Sequence, residues 1–238
     1  MKVSVVIPTL NEENYISTIL DNLRKQTVKP YEVIVVDGGS SDKTWSIVED
    51  RKDAKIIAGT KPQGRQRNIG ARKATGEMLL FVDADTRLDS DFLEESLKEM
   101  QKKNLTVAVP HYSTYLEVTN KFYKAAAVFT NKLAYVMQKI NPFGGGCGML
   151  SRKDLYDKTH GFSEEYTMDD LPFVREAAKL GKYGIIKTKA YISVRRFEKY
   201  GRLKTTIKYL ILMFLVIFNQ YELANNVGYR FGEYDKEV

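Results

Sequence analysis

Two aspartates one residue apart, Asp83 and Asp85, stand at the end of the apolar run Leu79-Leu80-Phe81-Val82. The run is short and does not alternate, which is the pattern of a strand covered on both faces. Such a strand delivers the two carboxylates to an edge. Carboxylates this close repel each other and are costly to desolvate without a cation between them. Mg2+ or Mn2+ takes oxygen ligands and keeps positions open for phosphate oxygens, so a metal-held polyphosphate is one reading of the pair. An Asp-rich turn, with Asp85 capping a following helix, is the other. A second acidic pair, Asp169-Asp170, precedes Leu171, Val174, Ala178 and Leu180, which fall at helical spacing. There it suits the positive end of a helix dipole, or a general base held beside a ligand.

The elements that must position these groups read as strands alternating with helices. Apolar runs at 3–7, 31–36, 56–58, 79–82 and 105–109 predict strands, the first stopped by Pro8 and the last by Pro110. Between them, Asn11 predicts the cap of a helix starting at Glu12, with Ile16, Ile19, Leu20 and Leu23 on one face. Further helices are predicted from Thr44, over 64–74 as a basic helix, and over 90–103. Apolar strands alternating with helices imply a parallel sheet covered on both faces. In such sheets ligands bind beyond the carboxyl ends of the strands. Three strand ends place polar groups there: Pro8-Thr9-Leu10-Asn11-Glu12, Asp37-Gly38-Gly39-Ser40 and Asp83-Ala84-Asp85.

After Pro110 the pattern shifts. Residues 121–140 carry Phe122, Ala126, Phe129, Leu133, Val136, Met137 and Ile140 at helical spacing, interleaved with lysines. This suits a helix packed on the core with a solvated basic face. The glycine-rich loop 141–148 lets backbone approach a ligand closely, and Ser151 is placed to cap a short helix. Residues 182–208 are strongly basic, and the apolar run 209–218 follows directly. That run is too short to span a bilayer, which takes about 20 apolar residues. It suits a core helix, a dimer interface or a segment lying in a membrane interface.

The 238 residues, 43% hydrophobic and 28% charged, describe a globular chain. The net charge of +7 favours polyanions: nucleotides, anionic lipid or nucleic acid. The basic residues form no recognised nucleic-acid module, so no nucleic-acid partner is expected. Residues 1–8 read as a strand rather than a secretory signal, and the single cysteine, Cys147, forms no intrachain disulfide. The expectation is a cytoplasmic protein, or one peripheral at the cytoplasmic membrane face. Oligomeric state is not legible.

With these motifs in place, the chain resembles the family-2 glycosyltransferases of GT-A fold from Val3 to about Gly181. Residues 5–12 look like the family's opening strand and loop, and residues 32–42 like its second nucleotide-binding segment. Gly64-Arg65-Gln66-Arg67-Asn68-Ile69-Gly70 leads to Asp83-Ala84-Asp85 as the DxD motif. Residues 145–152 resemble the segment before the acceptor site, and Asp169-Asp170 stands where the family carries Glu-Asp. Each motif alone is weak, but five in order over most of the chain are specific.

The resemblance implies an α/β, mostly parallel central sheet flanked by helices, with a C-terminal basic and apolar helical tail. It implies a GT-A domain over 1–200, with a nucleotide-sugar half (1–110) and an acceptor half (111–200), and a tail over 201–238. Pro8, Thr9, Leu10, Glu12, Gly39 and Ala84 would line the nucleotide site, Asp37 would accept a hydrogen bond from the base, and Arg65, with Arg67, would lie near the nucleotide. Asp83 would face ribose or metal, and Asp85 would bind Mg2+ or Mn2+. Asp170 would be the general base, with Asp169 its neighbour. Gly146, Cys147, Arg195 and Arg196 would form an acceptor and diphosphate loop. The activity implied is an inverting transfer of one sugar from a UDP- or GDP-type donor to a hydroxyl or phosphate acceptor, a lipid-linked one among the options. A nucleotidyltransferase and a non-catalytic nucleotide-sugar binder are the alternatives. The sequence departs from the pattern in three places: Asp-Asp replaces Glu-Asp, Gly38 follows Asp37, and the Gln-x-x-Arg-Trp motif of processive members is missing. Arg195-Arg196-Phe197 is a partial substitute for that motif.

Overall fold

The computed structural model describes residues 1–227 apart from 116, 119 and 167, so 228–238 of the expected tail lie outside the described residues. The first half follows the predicted alternation: β1 (Val3–Thr9), α1 (Ile16–Arg24), β2 (Glu32–Asp37), α2 (Thr44–Glu49), β3 (Lys55–Ala58), α3 (Gln63–Lys73) and β4 (Met78–Phe81). Then come β5 (Arg87–Leu88), α4 (Phe92–Lys103), β6 (Val107–Thr114), α5 (Lys121–Met137), β7 (Met149–Arg152) and α6 (Lys153–Tyr156). The chain continues through α7 (Asp170–Leu180), β8 (Tyr183–Ile192), α8 (Arg195–Tyr200), α9 (Arg202–Ile217) and α10 (Tyr221–Asn226).

The strands form one sheet in the order β3-β2-β1-β4-β7-β6-β8-β5. Strands β1, β2, β3 and β4 pair in parallel, as do β6 and β8. The pairs β4–β7, β6–β7 and β5–β8 are antiparallel. The sheet is therefore mixed beyond β4, which the apolar-run pattern alone did not reveal. β1 is buried along its whole length, as a β-branched run between two layers should be. Its alternate residues go to opposite faces. Val5 and Ile7 join α1 and α4, through Ile19, Leu20 and Leu93, while Val6 joins Ala71 of α3. Helix α3 comes very close to β1 at Gly70, where a Cβ would stand 2.3 Å from Val6 Cγ1.

Several expectations are corrected. α1 begins at Ile16, not Glu12, because Asn11 adopts a left-handed φ of 56° and residues 12–15 turn before the helix starts. Asn11 caps no helix; its Oδ1 accepts from the Ser41 amide at 2.8 Å. Asp85 is followed by β5, so it is not a helix cap. β6 runs through Pro110 with a shift of register between Val109 and His111. Proline forbids a ladder donor, and the irregularity accommodates it. Ser151 lies within β7 and caps nothing. The basic stretch 182–208, in which no strand was expected, contains the ten-residue strand β8. Its lysines lie on the side turned from the core, while Ile185, Ile186 and Ala190 are buried.

Candidate active site

Asp83 and Asp85 sit just beyond β4, as the strand pattern required. Asp83 is held on every side. Its Oδ1 accepts from Arg67 Nη2 at 2.6 Å and from Gln63 Nε2 at 2.9 Å, and its Oδ2 accepts from Cys147 Sγ at 2.8 Å. Gln63 and Arg67 are one turn apart on α3, so the same helix face delivers both donors. Asp85 faces Arg195, whose Nε lies 3.0 Å from its Oδ2. The same guanidinium forks onto Glu12, with Nη1–Oε2 at 2.9 Å and Nη2–Oε1 at 2.7 Å. Burial raises the Asp85 carboxyl, with Arg195 pulling against it and Asp83 adding to the rise. Burial pushes Glu12 up to about 7 against the pull of Arg195.

These groups enclose a small cavity of about 140 Å³, lined by Pro8, Glu12, Gln63, Asp83, Ala84 and Asp85 on one side. Cys147, Ile192, Ser193, Arg195, Arg196 and Tyr209 close the other. Strand β1, the β4 end, loop 141–148 and α8 thus meet at one place. Asp37 stands beside β1, in register with Thr9. Its Oδ2 accepts from the amides of Gly39 (3.0 Å) and Ser40 (2.9 Å), so the carboxylate holds its own loop in shape. Gly39 supplies the positive φ of 90° that the turn needs. Thr9 and Leu10 are buried, and the Thr9 hydroxyl donates to Val36 O at 3.3 Å.

The second acidic pair is delivered by the start of α7. Asp169 Oδ2 accepts from Arg67 Nη1 at 2.5 Å. Arg67, only 3% exposed, therefore ties Asp169 to Asp83 and stacks at 5.2 Å over the Phe162 ring. Gly146 makes room for this guanidinium, since a Cβ there would lie 2.5 Å from Arg67 Cζ. Asp170 is buried as well, and burial together with the neighbouring Asp169 charge raises its carboxyl, with Arg67 lowering it. Asp170 does not line the small cavity. It opens instead on a larger chamber of about 590 Å³. The two cavities share the walls Ile192, Ser193, Arg196 and Tyr209.

Of the residues singled out, Pro8, Glu12, Asp83, Ala84, Asp85, Cys147, Arg195 and Arg196 line one cavity. Asp170 stands on the adjoining one, and Asp169 and Gly146 pack against Arg67 between them. Arg65 turns away and pairs with Glu164 at 2.7 Å; Arg67 is the α3 arginine that reaches the carboxylates. Gln63, Tyr112, Tyr115 and Tyr209 were not foreseen. The Tyr112 hydroxyl donates to Gly145 O at 2.7 Å, and Tyr115 donates to the Asp85 carbonyl. The i, i+4 relation of Gln63 to Arg67 was a usable signal; the tyrosines carried none.

Among the described residues no group of three or more His, Cys, Asp or Glu side chains could hold a metal. The donor set fits a divalent cation of the Mg2+ or Mn2+ kind nonetheless. Such an ion needs one or two carboxylates and takes its other ligands from phosphate and water. Arg195 already brings positive charge to Asp85, where that ion would sit.

Residues 4–159 match the model of glycosyl transferase family 2, and the chain belongs to that family. It is 36% identical over 104 residues to the poly(ribitol-phosphate) beta-N-acetylglucosaminyltransferase TarS of Staphylococcus aureus, covering 40% of this chain and 18% of that protein. It is 32% identical over 124 residues to the putative glycosyltransferase EpsH of Bacillus subtilis, covering 50% of this chain and 36% of that protein. The chain thus spans well under half the length of these relatives. Among solved structures, S. aureus TarS 1-349 in complex with UDP-GlcNAc superposes with a TM-score of 0.62 at 26% identity, over 81% of this chain and 58% of that one. The mannosyltransferase PcManGT from Pyrobaculum calidifontis, in complex with GDP-Man and Mn2+, gives 0.61 at 25% identity, over 79% and 55%. The fold is that of the GT-A glycosyltransferases, as the sequence motifs implied.

Proposed function

We propose that this protein transfers a single sugar from a nucleoside-diphosphate sugar, of the UDP or GDP type, to an acceptor hydroxyl with inversion at the anomeric carbon. The observation that carries this reading is the shared wall between the two cavities. The carboxylates suited to a metal-bound diphosphate lie on one side of it and the raised carboxyl of Asp170 on the other. Relatives of the same fold are seen with UDP-GlcNAc and with GDP-Man and Mn2+.

In this reading Asp85, with Asp83 beside it, would hold a divalent cation, which would supply charge neutralisation to the departing diphosphate. Asp83 is already engaged by three donors, so Asp85, now facing Arg195, is the carboxylate that would hold the ion. Arg195 and Arg196 then face the diphosphate oxygens, where a guanidinium fork fits phosphate. Asp170 takes the acceptor proton as that oxygen bonds to the anomeric carbon, and the sugar–phosphate bond breaks with its electron pair going to the diphosphate. A carboxyl raised by burial suits a general base near neutral pH. The Arg67 guanidinium on Asp169 Oδ2 supports Asp170 rather than Asp169 in that role.

The acceptor is read as lipid-linked and reached at an anionic membrane surface. Helix α9 exposes Leu203, Ile207, Ile211 and Phe214, and α5 exposes Val128, Tyr135 and Val136. Lys124, Lys132, Arg202 and Lys204 are exposed on the same two helices, each worth about 1 kcal/mol near anionic lipid. Among the described residues no helix is long and apolar enough to cross a membrane. A thermal-shift screen of UDP-, GDP- and dTDP-sugars with Mn2+, followed by nucleoside diphosphate release with the stabilising donor, tests the reading. Stabilisation by none of the donors refutes it.

A further inference from the structure

The 590 Å³ chamber beside Asp170 is not accounted for by sugar transfer alone. Helices α5 and α9 both line it and are linked at two places. Arg202 Nε donates to the Tyr123 hydroxyl at 3.2 Å near their starts, and Asn141 Nδ2 donates to Ile217 O at 3.0 Å at their ends. Phe197 of α8 closes one end between Tyr123 and Tyr209, with ring centroids at 5.3 and 5.5 Å. Between these ties the helices stand apart, and the space is walled by Ala126, Phe143, Leu171, Leu212 and Met213. An apolar cleft of this size lies in the range of sites that bury a small organic ligand.

We propose that this chamber is the binding site for the hydrocarbon chain of the acceptor, a lipid whose terminal hydroxyl lies at Asp170. The proposal rests on the transferase reading above and gives its acceptor a chemical class. Three observations favour a hydrocarbon chain over other occupants. The walls are mainly aliphatic and aromatic, with a few hydroxyls, so a peptide would bury most of its backbone amides and carbonyls without partners. The charged groups of the lining, Asp170 and Arg196, stand toward the donor cavity, which is the polarity of an amphiphile. Helix α9 is apolar both toward the chamber, at Leu212 and Met213, and toward solvent, at Leu203 (75% exposed) and Phe214 (61%). A surface helix apolar on opposite sides is suited to lying in lipid with its inner face on a chain drawn from that lipid. The hydroxyl head follows from Asp170: a proton acceptor serves an alcohol, whereas an ionised phosphate head carries no proton to remove.

The test needs neither donor nor turnover. Binding of n-alkyl β-D-glucosides with chains of about 6 to 12 carbons, each below its micelle concentration, is measured by titration calorimetry on the full chain. Affinity is expected to rise about three- to fourfold per methylene, as for hydrocarbon leaving water, and to level off once the chamber is filled. Ala126→Trp fills the chamber and is expected to weaken the dodecyl compound at least tenfold, and Ala127→Leu, a smaller plug, to weaken it by less. Sugar-nucleotide stabilisation of each variant reports that it is folded. If Ala126→Trp does not fold, Ala127→Leu alone decides. Affinity independent of chain length overturns the proposal, as does chain-length dependence untouched by a folded plug variant, because the chains then bind elsewhere. Sugar-nucleotide stabilisation without alkyl binding refutes the chamber and leaves the transferase reading standing. Alkyl binding without any sugar-nucleotide response refutes the transferase reading instead.

Discussion

Replacing Arg67 with methionine removes the cation that Asp83 and Asp169 share while keeping a long apolar stem. The guanidinium is 3% exposed, lies 2.6 Å from Asp83 and 2.5 Å from Asp169, and draws Asp170 downward as well. Breaking a buried ion pair from one side costs about 3–5 kcal/mol, because the remaining charge is left without compensation. For a chain of this size that corresponds to a fall in Tm of about 6–20 °C, at roughly 2–4 °C per kcal/mol. The loss depends on pH with a definite sign. Asp169 and Asp170 are already raised by burial, and Arg67 opposes that rise; without it both rise further. A carboxyl whose folded pKa exceeds its unfolded value favours folding when protonated, and that advantage is lost as pH climbs toward the folded pKa. The Arg67→Met deficit is therefore larger at pH 8 than at pH 5. Urea unfolding followed by Trp45 fluorescence at both pH values measures it. A deficit below about 1 kcal/mol at pH 8, the range of surface pairs, or one equal at both pH values, refutes the assignment of Arg67 as the buried clamp.

Four further outcomes are expected. Asp170→Asn lowers kcat by about 10²–10⁴-fold, the usual weight of a general base, while sugar-nucleotide stabilisation is unchanged; the wild-type rate rises with pH through the raised Asp170 pKa, and the variant loses that limb. Gly146→Ala must displace a guanidinium whose Cζ would lie 2.5 Å from the new Cβ, so it destabilises by about 1–3 kcal/mol as an overpacked site does, seen in the same urea unfolding. Arg195→Met leaves Asp85 and Glu12 without their shared cation, so Mn2+ binds the nucleotide-free protein several-fold more tightly by electron paramagnetic titration. Burial and the Asp83 carboxylate hold the Cys147 thiol well above its ordinary pKa, so it reacts with iodoacetamide at pH 8 more slowly than free cysteine, and faster once Asp83→Asn removes one acceptor charge.

Much of this was legible in the chain because buried strands write themselves as continuous apolar runs. β1, β2 and β4 were readable for that reason, and the polar residues just after them marked the ligand edge. The strand β8 was hidden because it lies toward the sheet edge, where exposed Lys187 and Lys189 interrupt its buried Ile185, Ile186 and Ala190. A basic composition there looked like tail. Pro110 appeared to end β6, and only the pairing with β8 shows the strand continuing past it. The site was visible as acidic pairs with arginines near them, but not which arginine engages which carboxylate. Arg65 and Arg67 are equivalent as letters; the turn of α3 sends one to Glu164 at the surface and the other inward to Asp83 and Asp169. The chamber needed the spatial pairing of α5 with α9, about which the local patterns of each helix say nothing.

The central claim is that Asp170 and the DxD carboxylates serve one reaction from adjoining cavities. Its most direct measurement is nucleoside diphosphate release from the stabilising donor, with a long-chain alkyl glucoside as acceptor, for the wild type, Asp170→Asn and Asp85→Ala. The account predicts acceptor-dependent release by the wild type, and loss of about a hundredfold or more in each variant, with Asp170→Asn still stabilised by the donor. Wild-type rates in both variants would contradict it.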